Sequence, residues 1–247
     1  MPRMRPRDLS KPPLDLPPAF RAVTLREFGD AFGYAMRVAA QEGAGTLVHV
    51  GRFDLAEFAV VLEPDEPLHT ARRALYAGMV ALADALAAHA PPERPIAFGW
   101  PDAILVDGGL VGGGRLGWPQ QASENEPPDW LVFAAMVRTV AMGEEEPGLR
   151  PLASALDAEG FDDLDSAHLV ESFARHLMTA VHGWQAEGFQ RVATSYLARL
   201  PGGNRLQIAE DGDLLSRAGS EVHECRPLLA ALQHPSWLDP AAGVPRV

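Results

Sequence analysis

Residues 98–119 read Phe-Gly-Trp-Pro-Asp-Ala-Ile-Leu-Val-Asp-Gly-Gly-Leu-Val-Gly-Gly-Gly-Arg-Leu-Gly-Trp-Pro, and no other stretch constrains the fold as tightly. Ile104, Leu105 and Val106 predict a strand, Asp107-Gly108-Gly109 a tight turn, and Leu110 and Val111 a returning strand. Gly112, Gly113 and Gly114 follow at once. A glycine inside a strand costs about 0.5–1 kcal/mol relative to alanine. A run of three is expected where a ligand or another backbone comes very close, so the triplet is expected to line a cavity. Strand alternation puts Gly113 and Arg115 on one face and Gly112 and Gly114 on the other.

The rest of the chain supplies elements to pack around this hairpin. Residues 1–19 hold Pro2, Pro6, Pro12, Pro13, Pro17 and Pro18 and predict an extended or disordered arm. Thr24-Leu25-Arg26-Glu27 has capping-box spacing, which predicts a helix from there to about Glu42, stopped by Gly43 and Gly45. Residues 46–50 and 56–62 predict strands. Residues 67–90 predict one long helix, with Leu68, Ala71, Leu75, Met79, Leu82 and Leu86 along its apolar stripe. A polar insert at 120–128, expected to be mobile, leads into another strand at 130–141. A helix capped at Asp165 or Ser166 follows, then a helix at 189–200. A β-hairpin around Asp211-Gly212, a short helix at 227–233 and a tucked-in Trp237 complete the chain.

Strands and helices alternate early, and later strands neighbour strands. The expected class is therefore α+β, a mixed sheet flanked by helices, with a small C-terminal β appendage. The expected divisions are the arm at 1–19, a main domain at 20–200 and the appendage at 201–247.

Composition removes several function classes. The 247 residues are 47% hydrophobic and 22% charged, the balance of a soluble globular protein. A net charge of -12 argues against a nucleic-acid partner, since phosphate binding needs clustered Lys and Arg. No charge-free run of 18 apolar residues predicts a membrane span. The arginines and lysine near the N-terminus precede no apolar segment, so no secretory signal is expected. Cys225 is the single cysteine and reads as a passive thiol. With no intramolecular disulfide available, a cytoplasmic location is expected. There is no Gly-x-Gly-x-x-Gly, no Walker-type Gly-Lys-Ser or Gly-Lys-Thr, and no His-Glu-x-x-His. His168 and His176 are read as surface or packing residues, and no metal site is expected.

Trp100-Pro101, Ile104-Leu105, the turn, and Val111-x-Gly113 together resemble the signature of the biotin/lipoate protein ligases. Those enzymes carry Lys-Trp-Pro-Asn-Asp, a short turn and Lys-Val-Ala-Gly-Ile. The resemblance covers roughly residues 20 to 141. A weaker second patch, Trp184-x-x-x-Gly188-Phe189, then Tyr196-Leu197 and Asp211-Gly212-Asp213-Leu214-Leu215, is similar to a helix junction and small β unit of biotin ligases. The resemblance implies a mixed sheet with a vitamin in a slot walled by the hairpin strands. Gly112, Gly113 and Gly114 would let a flat ring or an adenylate lie on the backbone, and Trp100 and Pro101 would shape the side. Trp100 reads equally well as a core residue. Asp102 would hold Mg²⁺ or a ribose, or is a turn residue after Pro101.

The resemblance also implies a reaction: adenylation of biotin or lipoate by ATP with Mg²⁺, then transfer to the lysine of a biotinyl or lipoyl carrier protein. The charges it needs are altered here. Gly99 and Leu110 stand where the family has lysines, Asp102-Ala103 replaces Asn-Asp, and only Gly51-Arg52 remains of a Gly-Arg-Gly-Arg loop. Forming an acyl phosphate crowds negative charge that cations must stabilise. Arg115 and Arg52 are the candidate replacements. Biotin adenylation is expected to be very weak or absent. The alternative on the same fold is a non-catalytic module that binds the ligand or a carrier protein.

Overall fold

The computed structural model describes residues 13–142, 153–218 and 221–246. Residues 1–12 of the arm and the Glu144-Glu145-Glu146 run lie outside them. Strands β1 (Arg21–Leu25), β2 (Thr46–Val50), β3 (Leu55–Leu62), β4 (Ile96–Gly99), β5 (Ala103–Val106), β6 (Gly109–Gly117) and β7 (Leu131–Arg138) form one sheet in the order β1-β2-β3-β7-β6-β5-β4. The β1–β2 pair is parallel and the other pairs are antiparallel. The helices are α1 (Ala31–Glu42), α2 (Leu68–Ala71), α3 (Ala74–Ala87), α4 (Ser166–Glu187), α5 (Gln190–Leu197) and α6 (Leu228–Leu232). A small second sheet joins β8 (Leu206–Ile208), β9 (Leu214–Ala218) and β10 (Glu221–Arg226). The architecture is the mixed α+β sheet with a small C-terminal β unit that the sequence predicts.

One face of the large sheet holds the main core. Helix α3 lies across β4, β6 and β7, α4 lies on β3, and α5 packs against both helices. From Ala74 to Leu86 helix α3 is apolar and buried on every side apart from Asp84, which pairs with Arg199. Gly78 is what lets it settle. A Cβ there would stand 2.3 Å from the Phe133 ring. Phe133, Phe173 and Phe58 stack through the middle of this core, and Tyr196 lies flat on Phe98.

The opposite face is covered in two parts. Ala31, Ala35 and Ala39 bring α1 close onto Val48, Ala59, Val61, Val132 and Ala134. Over β5, β6 and β7 the cover is the C-terminal segment at 233–246, whose Trp237 packs with Leu55, Ala103 and Met136.

Four local expectations change. The helix does not start at Thr24. Residues 21–25 pair with β2, with Thr24 opposite His49, and α1 starts at Ala31 with the Asp30 side chain accepting from the Gly33 N–H. Sheet pairing outweighs a capping-box spacing that nothing else supports. The long helix divides at Arg72-Arg73, where the Arg73 guanidinium turns back to the Thr70 carbonyl. The insert at 120–128 is irregular but tied down, since Glu124 pairs with Arg72 at 2.8 Å and its carbonyl accepts from the His69 N–H. Of the arm, residues 13–19 are docked. Leu14 and Leu16 meet the core, and Asp15 pairs with Arg175. Two leucines and one carboxylate with partners suffice for that, and none of them produces a periodic pattern.

Candidate functional site

Strand register builds the site. Ala103 on β5, Gly113 on β6, Met136 on β7 and Glu57 on β3 face one another in a row across the sheet. Arg115, Ala134 and Ala59 form the next row. Directly opposed residues share a face, so Gly113, Arg115 and Glu57 all point away from the main core. They lie in the gap between the N-terminus of α1 and the C-terminal segment.

Arg115 projects into this gap. Its guanidinium sits 4.0 Å from the centre of the Phe32 ring and 3.6 Å from the Asp30 carboxylate. Burial lowers its affinity for the proton, and Asp30 and Glu57 restore part of it. Glu57 is 5% exposed and accepts from the Ala31 N–H at 2.8 Å, a satisfying partner at a helix N-terminus. Burial nonetheless raises the Glu57 pKa above the usual carboxylate value. Arg52, on the loop between β2 and β3, adds to the field at Glu57. The sequence-predicted pair Arg115 and Arg52 thus comes to one region. Both carry partners: Arg52 is bound through two nitrogens to Asp54, at 3.0 and 2.6 Å. Glu57, Asp30 and Phe32 were missed by sequence reading. Asp30 and Glu57 are ordinary charged residues in sequence, and only the strand register brings them beside Arg115.

The glycine triplet is packed rather than open, which corrects the cavity expectation. A Cβ on Gly113 would lie 2.3 Å from the Trp237 ring and 2.2 Å from the Asp102 carbonyl oxygen. On Gly112 it would meet the Met136 carbonyl at 1.9 Å, and on Gly114 the Met79 sulfur at 2.7 Å. The close neighbours are a tryptophan of this same chain, the adjacent strand and α3. The Trp237 indole N–H donates to the Gly114 carbonyl at 2.8 Å.

Asp102 belongs to the same patch. It is 1% exposed, and its carboxylate accepts the Ser236 hydroxyl at 2.6 Å and the Ser236 N–H at 3.2 Å. Burial raises its pKa to about 6, against the lowering effect of the Ser236 bonds. Trp100 and Pro101 face the main core side. The Trp100 indole donates to the Tyr76 hydroxyl at 3.0 Å, which donates to the Gly212 carbonyl at 2.6 Å. The Pro101 carbonyl accepts from the Tyr196 hydroxyl at 2.9 Å, and the Trp100-Pro101 bond is cis. Asp102 and Gly113 therefore lie together under the C-terminal segment, with Arg115 on the same sheet face as Gly113, while Trp100 packs toward the main core.

Among the described residues no group of three His, Cys, Asp or Glu is placed to hold a metal ion. His168 pairs with Asp165, and the His176 ring bonds the Ser172 carbonyl. No described helix is long and apolar enough to cross a membrane. A cavity of about 910 Å³ opens on the other side of the molecule, between α3, α4 and the end of β3, and none of the sequence-predicted site residues lines it.

Comparison with known proteins places this geometry. Residues 16–198 match the model of the biotin/lipoate A/B protein ligase family. A biotin--[acetyl-CoA-carboxylase] ligase of Paracoccus denitrificans is 30% identical over 155 residues, which is 57% of this chain and 58% of that protein's length. A biotin protein ligase-like protein of unknown function from Silicibacter superposes with a TM-score of 0.77 at 26% identity, covering 89% of this chain and 99% of that one. The biotin protein ligase of Aquifex aeolicus in complex with biotin and ATP shares the fold, with a TM-score of 0.62 at 13% identity over 82% of this chain and 94% of that one.

Proposed function

The chain belongs to the biotin/lipoate A/B protein ligase family, and from that premise we propose that it binds a carboxylic-acid vitamin such as biotin, or the adenylate of one, in the slot beside Arg115. The acyl group is destined for a lysine on a carrier protein. The observation that carries the reading is Arg115 itself, a largely buried cation on the sheet face shared with Gly113. Burying a guanidinium is costly unless anions compensate it; Asp30 and Glu57 do so here, and a ligand carboxylate or phosphate would take the place of the exposed Asp30. The Aquifex relative crystallised with biotin and ATP supports the same ligand class. Phe28, fully exposed, and Phe53, 60% exposed, stand on the two loops beside Arg52 and give a carrier domain an apolar place to approach.

The full reaction has two steps. A carboxylate oxygen attacks the α-phosphorus of ATP and pyrophosphate leaves, and then a lysine amine attacks the acyl carbon and AMP leaves. In this slot Arg115 would orient the carboxylate and offset the charge on the phosphorus oxygens. No lysine assists it, because Gly99 and Leu110 occupy the family's lysine positions. Each missing cation is worth about 3 kcal/mol of barrier, so two correspond to roughly four orders of magnitude in rate if nothing replaces them. The pairing of Arg52 with Asp54 favours a second reading, a module that keeps ligand binding and has lost adenylation.

Pyrophosphate release with biotin, lipoate and octanoate tests both. Release at ordinary ligase rates that is lost in Arg115→Ala establishes catalysis by the replacement cation. Binding by calorimetry without release selects the second reading. Neither binding nor release with any of the three acids refutes the proposal.

A further inference from the structure

We infer that residues 233–246 form an internal strap whose Trp237 occupies part of the ligand slot and must leave when ligand enters. The inference rests on the slot proposed above. Three observations carry it.

The first is position. Trp237 covers Gly113 so closely that a single methyl group would not fit between them. Gly113 and Arg115 are two residues apart on one strand face, which separates their Cα atoms by about 6–7 Å. A ligand with its anionic group at Arg115 and its ring on the Gly113 backbone meets the indole directly. The indole also uses the backbone acceptor that a ring N–H of such a ligand would use, the Gly114 carbonyl. The Gly114 N–H donates to the Asp102 carbonyl at 2.8 Å, just ahead of β5, and its carbonyl is taken by the indole.

The second is the way the strap is held. It closes on itself. Leu238 and Pro245 form an antiparallel bridge, the Asp239 N–H donates to the Val244 carbonyl, and the Arg246 N–H donates to the Trp237 carbonyl. Its hydrogen bonds to the sheet are few: Ser236 to Asp102, the indole to Gly114, and Arg138 to the Pro245 and Arg246 carbonyls. A loop bonded within itself lifts as one unit, so what breaks is those ties and the apolar contact of the buried Trp237 with Leu55, Ala103 and Met136, which an incoming ring would replace.

The third is the cluster beneath it. Leu55, Ala103, Met136 and Trp237, with Leu110, Leu238 and Val244 at the margin, form an apolar group separate from the two that hold the helices on the sheet. Leu110 stands where the family resemblance puts a lysine. Here that position seats the strap. The exchange of lysine for leucine and the covering of Gly113 are therefore one change: the slot has lost a cation and gained an apolar lid.

The test uses the full-length protein, with biotin and biotinyl-5′-adenylate as probes. Trp237→Ala is expected to tighten binding of at least one probe tenfold or more over wild type. Ser236→Ala, which loses one tie to Asp102, is expected to tighten it several-fold. In wild-type protein, saturating probe is expected to speed amide hydrogen exchange across 234–246, with the sheet strands unchanged or slowed. If Trp237→Ala does not fold, Ser236→Ala and the wild-type exchange experiment decide. Equal affinities in wild type and variants, with strap exchange unchanged by bound probe, overturn the strap while leaving the ligand slot intact. No binding in any of the proteins overturns slot and strap together.

Discussion

Asp102→Asn is the sharpest test of how the slot is held. In the folded chain the Asp102 pKa is about 6, raised from 3.8 by burial. A raised carboxylate means that the folded state binds the proton more tightly than the unfolded state. Between pH 3.8 and about 6 the folded state therefore carries more protons, and stability falls as pH rises through this window. Above it the ionised, buried carboxylate costs its full penalty. A shift of about two units is worth about 3 kcal/mol at 1.36 kcal/mol per unit. Asparagine keeps an acceptor for the Ser236 hydroxyl and N–H but never ionises. Its NH₂ is a buried donor that meets no acceptor among the bonds Asp102 makes, which takes back on the order of 1 kcal/mol. The expected net result at pH 7.5 is that Asp102→Asn is more stable than wild type by about 1–2 kcal/mol, a rise of roughly 2–8 °C in Tm for a chain of this size. At pH 4 the order reverses or closes. Urea unfolding followed by tryptophan fluorescence at pH 4, 5, 6 and 7.5 measures both. Glu57 is also raised by burial, but it is present in both proteins and drops out of the difference. Parallel stability curves across this range would refute the claim that Asp102 is a buried, strained carboxylate.

Other positions give independent checks. Gly113→Val places side-chain atoms against the Asp102 carbonyl and the Trp237 ring, and should cost about 2–3 kcal/mol or more in urea unfolding. An unchanged midpoint would mean that Trp237 does not lie on Gly113. Tyr76→Phe strips a partner from both the Trp100 indole and the Gly212 carbonyl, and should cost about 1–3 kcal/mol; a thermal shift under one degree would contradict that bridge between the large sheet and the small one. Glu57→Gln keeps the acceptor for Ala31 but removes a negative charge facing Arg115. Biotin affinity at pH 7.5 should rise by about 1 kcal/mol, roughly fivefold, and an unchanged or weaker affinity by calorimetry would place the ligand carboxylate elsewhere.

The hairpin was legible because its signals are local. Alternation, the Asp-Gly turn and the glycine run each depend on neighbours in sequence, and strands β5 and β6 lie where they predict. What the triplet admits was not legible. Glycines report that something comes close, and the identity of that neighbour depends on a segment more than 120 residues away in the chain. Strand β1 was missed for a related reason. Residues 21–25 form an edge strand whose apolar alternation is only Val23 and Leu25, too short to read as a strand without its parallel pairing with β2. Strand β10 was missed likewise, since its pairing with β9 is interrupted between Val222 and Glu224 and its sequence is mostly polar.

The partners that Arg115 and Arg52 already hold set what an incoming anion has to displace. Asp30, Asp54 and Glu57 surround them, so the cations arrive with their charge already answered. Asp54 is the firmest of these partners. Its pKa is lowered chiefly by the bond from Arg52, and withdrawing Arg52 to meet a phosphate would break a two-point contact. Asp30 is different. Its side chain is 67% exposed, it meets Arg115 at the long distance of 3.6 Å, and it also caps α1. An incoming carboxylate can displace it, since the Asp30 end of the pair stands mostly in solvent and its contact with Arg115 is long. Under the proposed reading, Arg115 exchanges one carboxylate for another, which is binding. Adenylation would need a cation for the pentavalent phosphorus as well, and Arg52 could supply it only by leaving Asp54.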